Sequence, residues 1–129
     1  MYKAPEQALY DAMFSKIKAL DCNVYTHNPP PSAKYPFAVL GMIQIVPFVT
    51  KTQLLARIHA VITVWGDAND RYAVSSTTDQ IMRSISQIHE ADGFIFRLDM
   101  TNSNYSLMPD QSTNDDLWRS DITLEFTMQ

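Results

Sequence analysis

Residues 121–128, DITLEFTM, alternate without a break. Ile122, Leu124, Phe126 and Met128 are apolar, and Asp121, Thr123, Glu125 and Thr127 between them are polar. Successive side chains of a β-strand point to opposite faces, so this run is a strand with one face on a core and the other toward water or a partner. Residues 57–65, RIHAVITVW, repeat the pattern: Ile58, Ala60, Ile62 and Val64 point one way, Arg57, His59, Thr63 and Trp65 the other. Phe94, Phe96, Leu98 and Met100 do the same around Ile95, Arg97 and Asp99. Strands with one dry face make an antiparallel sheet, and that face has to be covered.

Two helices are available to cover it. Pro5 stands where a helix begins, and Glu6 in the first turn complements the helix dipole. Leu9, Met13, Ile17 and Leu20 then recur at spacings of four, four and three, one apolar stripe on a helix running to about Leu20. Tyr10 and Phe14 widen the stripe. The second helix is capped by Asp70 and carries Val74, Thr78, Ile81, Ile85 and Ile88, with Asp92-Gly93 closing it.

The segment between the first helix and the 57–65 strand reads as extended. Residues 23–26 suit a short strand, and Pro29, Pro30 and Pro31 then impose stiff extended geometry. Residues 36–46, PFAVLGMIQIV, are nearly continuously apolar, as in a strand covered on both faces, with Pro47 ending it. Gly41 in mid-strand predicts a bulge or a close backbone approach. Residues 47–54, PFVTKTQL, form a hairpin connection that carries the apolar pair Phe48 and Val49. Within the polar stretch 102–116, Tyr105-Ser106-Leu107-Met108 can prolong the ladder past a bend. The expected fold is α+β: a two-layer sandwich with a mainly antiparallel mixed sheet of about four to five strands and two helices packed on it. With no linker, repeat or low-complexity tract, residues 1–129 are expected to form a single domain.

Charge and cysteine usage narrow the function classes. A net charge of −4 argues against nucleic acid as a main partner, because duplex binding rests on Lys and Arg neutralising phosphates. An acidic wall would instead let DNA slide past. The lone cysteine, Cys22, excludes an intrachain disulfide and fits a reducing cytosol. No signal-peptide pattern and no membrane-length apolar run is present, so a soluble chain without an address label is expected.

Catalytic signatures are absent. Cys22 with His27 or His59 lacks a third orienting group, and a packed structural cysteine is the simpler reading. His27, His59 and His89 have no HxxxH or HExxH spacing for zinc. Asp110, Asp115 and Asp116 match no calcium-loop spacing and read as a solvated hairpin tip. Gly41, Gly66 and Gly93 are isolated, so no phosphate-cradling loop exists. We therefore expect no catalytic residues, no metal and no cofactor. Phe48 and Val49, flanked by Pro47, sit where a monomer prefers polar residues, which points to an intersubunit contact. Trp65 and Trp118, at strand ends, fit either core-rim packing or such a contact.

Three strings in order carry a family resemblance: KAPEQALYDAMFSKI (residues 3–17), PPPSAKYPFAVLG (29–41) and IHAVITVWGDANDRYAVSSTTDQI (58–81). With the closing DLWRSDITLEF (116–126), they resemble the tail-terminator, or tail-completion (tail-to-head joining), proteins of long-tailed bacteriophages. The tip MPDQSTNDDLW differs from the compact glycine-containing turn of that family. The resemblance implies a non-enzymatic virion protein forming a homo-oligomeric ring, commonly of six copies. The ring would cap the tail tube, end its polymerisation and join it to the head. Implied partners are the tail-tube protein, the head-completion or connector protein, and DNA only in passing through the ring. The implied place is the head-proximal end of the tail, after assembly in the host cytoplasm. On this reading Pro47, Phe48, Val49, Lys51, Trp65, Tyr105 and Trp118 are interface residues, and Asp110, Asp115 and Asp116 line an acidic lumen. The alternative is a small α+β ligand-binding or enzymatic domain with a hidden site.

Overall fold

The computed structural model describes residues 2–49, 54–111 and 116–129. The chain runs through α1 (Pro5–Lys18), β1 (Asn23–Tyr25), β2 (Phe37–Val49), β3 (Leu54–Asp67) and α2 (Arg71–Ile85). It continues through β4 (Glu90–Ala91), β5 (Phe94–Leu98), a 3-10 turn (Met100–Asn102), β6 (Asn104–Asp110) and β7 (Leu117–Met128). The strands form one sheet in the order β1-β2-β3-β7-β5-β4, with β6 beside β5 on the same side of β7. Only β1–β2 is parallel. The fold is the α+β two-layer sandwich the sequence predicts, with seven strands rather than four or five. The additions are β4, two residues long, and β6, which the sequence offered only as an extension of the ladder.

The alternating runs pair as their patterns require. β3 and β7 lie antiparallel from Ala56↔Met128 to Asp67↔Leu117. This register sets Ile58 opposite Phe126, Ala60 opposite Leu124 and Ile62 opposite Ile122, all fully buried. Leu9, Met13 and Ile17 of α1, with Val74, Ile81 and Ile85 of α2, close over the same face. Asp70 accepts a hydrogen bond from Ala73 N at 3.1 Å and so caps α2 as expected. Thr78, buried on the apolar stripe, satisfies its hydroxyl by donating to Val74 O at 2.7 Å.

Several boundaries differ from the sequence reading. α1 ends at Lys18 rather than Leu20. Pro47 does not end β2: it pairs with Ala56, and the strand runs on through Phe48 to Val49. A proline is tolerated there because β1 covers β2 only from Phe37 to Val39, so the rest of β2 is an edge strand with no second ladder to donate to. Pro47 and Phe48 are therefore strand residues, not loop residues. Asp92-Gly93 does not close α2. Both residues have positive φ, 52° and 88°, and they form the two-residue turn joining β4 to β5. The helix had already ended at Ile85.

Two glycines mark close approaches. The β2–β3 register shifts between Leu40 and Ile43, and a Cβ on Gly41 would lie 3.2 Å from Val61 O, which is the bulge that a mid-strand glycine predicts. At Gly66 a Cβ would fall 2.0 Å from Val74 Cγ2, so the end of β3 meets the first turn of α2 with no room for a side chain. We expect Gly66→Ala to destabilise the fold by about 1–3 kcal/mol, the cost of overpacking a filled core. Urea denaturation checks this. Val74→Ala in the same chain should recover part of the loss, and an unchanged midpoint for Gly66→Ala would contradict the contact.

Candidate assembly surface

Opposed residues of an antiparallel pair share a face, so the register that buries Ile58, Ile62 and Phe126 under the helices turns their neighbours outward. The outward face carries Arg57, His59, Thr63 and Trp65 of β3 opposite Thr127, Glu125, Asp121 and Arg119 of β7. Two of its polar residues are matched across the strands. His59 Nδ1 lies 3.1 Å from Glu125 Oε1, and Thr63 Oγ1 donates to Asp121 Oδ1 at 3.3 Å.

Arg119 is the centre of this face. Its Nη1 donates to Asp110 Oδ2 at 2.6 Å, its Nε is 3.4 Å from Asp121 Oδ2, and its guanidinium lies 5.8 Å from the Trp65 ring centre. Asp110 belongs to β6, next to Leu117 in register, and is only 5% exposed. It is therefore not part of a solvated tip. Asp116 is exposed, and Asp115 lies outside the described residues. The hairpin tip breaks up into one buried, paired carboxylate and one free to face solvent. Sequence spacing missed this because the partner, Arg119, comes from the following strand.

The residues expected at an interface scatter over the sheet. Phe48 is 39% exposed near the free end of the β2–β3 hairpin, with the Arg57 guanidinium 5.9 Å from its ring centre. Pro47 is exposed beside it; the Val49 side chain and Lys51 lie outside what is described. Trp118 is at the other end of β7, half-buried, donating from Nε1 to Ala68 O at 3.0 Å with Arg71 over its ring. Trp65 is half-buried under Arg119. Tyr105 is exposed on β6. As successive residues of β2, Pro47 and Phe48 point to opposite faces, Phe48 toward the outward face with Arg57, and both tryptophans are half-buried. Sequence reasoning missed Met42 and Val46, 55% and 51% exposed on β2. Val46 lies opposite Arg57 on the outward face, which no helix covers, so residues 36–46 are not the strand covered on both faces that their apolar run predicts.

Cys22, the histidines and Asp99 do not converge on one another among the described residues. Cys22 is half-buried against the core, with Sγ 3.5 Å from Asn23 O, and burial pushes its thiol pKa up, away from the reactive thiolate. Among the described residues no three His, Cys, Asp or Glu side chains gather as metal ligands. Asp99 is held below the usual carboxylate range by its hydrogen bonds to Asn102 and Thr101. It caps the 3-10 turn and so has a structural task. A groove of about 620 Å³ lies between the proline-rich loop and β2, lined mainly by Pro29, Tyr35, Phe37, Met42, Trp65 and Leu117. Its lining is mainly apolar and aromatic, with Thr26, His27 and Asn28 at the loop side.

The family model described as "Tail completion protein gp17" matches residues 7–129. A chain of the virion of a native gene transfer agent (GTA) particle shares the fold at a TM-score of 0.66 and 18% identity, over 97% of this chain and 94% of that one. A second solved structure matches at a TM-score of 0.56 and 17% identity, over 98% and 97% of the two chains. No curated protein sequence matches.

Removing the partner of a buried charge is costly. We expect Arg119→Leu to lower stability by about 1–3 kcal/mol, because Asp110 then loses a charge-assisted hydrogen bond. Thermal and urea unfolding measure it, and Asp110→Asn in the same chain should lessen the cost. Ser120 makes the opposite case. Its hydroxyl is fully buried with no hydrogen-bond partner among the described residues. Ser120→Ala should be neutral or stabilising, and a loss beyond about 1 kcal/mol would show that the hydroxyl is bonded after all.

Proposed function

The chain belongs to the tail completion protein gp17 family, which makes it a structural protein of a phage tail, and we propose that it works as the ring that ends the tail tube. Several copies, six by the resemblance, would sit on the last ring of tube protein. There they would stop its polymerisation and present a surface to the head-completion protein. The observation that carries this reading is the family match across residues 7–129, nearly the whole chain. The work is interface formation, with no bond made or broken. The position is the head-proximal end of the tail, reached after assembly in the host cytoplasm.

The sheet supports this role. One face is covered by helices, while on the other Arg119 is held by two carboxylates. That leaves Arg57 and Arg97 as its exposed arginines among the described residues, so it can border a channel with few free cations. DNA backbone attracts unpaired Lys and Arg, and on this face those two remain once Arg119 is committed to Asp110 and Asp121. Of the three acidic residues assigned to the lumen, Asp116 is exposed and free for that place, and Asp110 contributes through the pair with Arg119.

The test is capping. Purified protein added to polymerising tail-tube subunits should halt growth and leave a ring at one tube end in negative-stain micrographs. Tubes that lengthen unchanged would refute the reading. Phe48→Asp should fold with a cooperative thermal transition yet cap poorly, since burying a carboxylate in an apolar contact costs several kcal/mol, roughly. Loss of the transition would instead make Phe48 part of the core.

A further inference from the structure

We propose that neighbouring copies join through their sheet edges, the outer edge of β2 in one copy pairing antiparallel with the outer edge of β6 in the next. The inference rests on the ring reading and names the contact that closes the ring. Beyond Val39, β2 has β3 on one side and no strand on the other among the described residues. Likewise β6 has β7 on one side and no strand on the other. These two edges lie on opposite sides of the sheet, across the order β2-β3-β7-β6. A ring needs two different surfaces on each copy, one received and one offered, and two opposite edges supply them.

The strand senses agree. Each step of β2-β3-β7-β6 is antiparallel, so β2 and β6 run in opposite directions. Rotation about a ring axis preserves direction along that axis. The β2 edge of one copy therefore meets the β6 edge of the next in antiparallel sense, and the sheet continues without a change of pattern.

The free stretches also lack charge, the commonest device for keeping edges apart, although β2 carries the Gly41 bulge and each stretch ends at a proline. Exposed edges are ordinarily blunted by charges, proline or shortness. Residues 40–46 of β2, LGMIQIV, carry no charge and no proline, and Met42 and Val46 are exposed along them. Residues 104–108 of β6, NYSLM, carry no charged side chain either, and Pro109 follows only at the end. The free stretches are about 17 to 24 Å long at the usual rise per residue, enough for a short ladder. A β2-to-β2 contact would make a closed dimer, which leaves the β6 edges bare.

Cysteine cross-linking reads the contact directly. Gln44 pairs with His59 on the outward face, and Asn104 and Ser106 pair with Thr123 and Asp121 on that same face, with Met108 next along it. In a Cys22→Ala background, Gln44→Cys is combined with Asn104→Cys, Ser106→Cys or Met108→Cys, so that three successive registers are sampled. Retained melting behaviour of each variant confirms the fold. After oxidation of concentrated protein, or of protein bound at tube ends, one register should give a ladder of covalent multimers climbing to the ring size. The ladder should collapse with reductant, and each single-cysteine variant should give none. Rings in micrographs with no ladder in any register would overturn the edge contact while leaving the ring intact. Efficient dimers from Gln44→Cys alone would overturn it in favour of a two-fold contact. A wild-type chain that forms no ring and caps no tube would bring down the ring reading and this contact together.

Discussion

The ladder between β3 and β7, running unbroken from Ala56↔Met128 to Asp67↔Leu117, fixes most of what the molecule is. Its register commits alternate residues of both strands to one face, and a slip of one residue would exchange the core for the surface. Ile58, Ala60, Ile62 and Val64 with Ile122, Leu124 and Phe126 make a dry floor on which both helices rest. The same register places His59 against Glu125 and Trp65 against Arg119 on the far side. Core and outer face are thus two consequences of one pairing. β2 then adds to the free side of β3, and β5 and β6 share the free side of β7.

A helix layer on only one side leaves a broad polar face and two strand edges. In a protein built around a cavity such surfaces would be folded inward. Here they are outward, and several polar side chains of the outer face are matched locally: His59 with Glu125, Arg119 with Asp110 and Asp121, Thr63 with Asp121. Paired charges of this kind contribute little net attraction for a passing polyanion but keep the face hydrated. The apolar residues that remain exposed on β2, Met42, Val46 and Phe48, lie along its length, Met42 at the lip of the groove beside the proline-rich loop. Their arrangement suits a long contact with another chain, in keeping with a tail-completion family whose work is assembly.

The parts of this fold that were legible in the sequence are those in which local periodicity and tertiary burial agree. Strands β3 and β7, both helical stripes, the Asp70 cap and the Gly41 bulge all follow from side-chain spacing, because burial on one face is what produces the spacing. The misreadings have a common cause, which is pairing between distant segments. Pro47 looked like a strand end because its effect depends on whether a second strand lies beside β2, and no local feature says so. Asp92-Gly93 fitted a helix stop as well as a hairpin turn, and only the partnership of Ala91 with Phe94 decides between them. Asp110 looked solvated until β7 brought Arg119 to it. The family was readable from ordered strings of residues, whereas the surface that does the work was not. Exposure of Val46 follows from an outward face that no helix covers, and no spacing along the chain encodes it.

The measurement that bears most directly on this account is an electron cryo-microscopy map of the head-proximal end of the tail, at a resolution that separates strands. The account predicts a ring of this fold on the last layer of tube protein, with residues 40–46 of each copy hydrogen-bonded to β6 of its neighbour and the helices on the outside. A tail end that contains no copy of this fold would contradict it, as would copies that touch through their helices and leave both sheet edges in solvent.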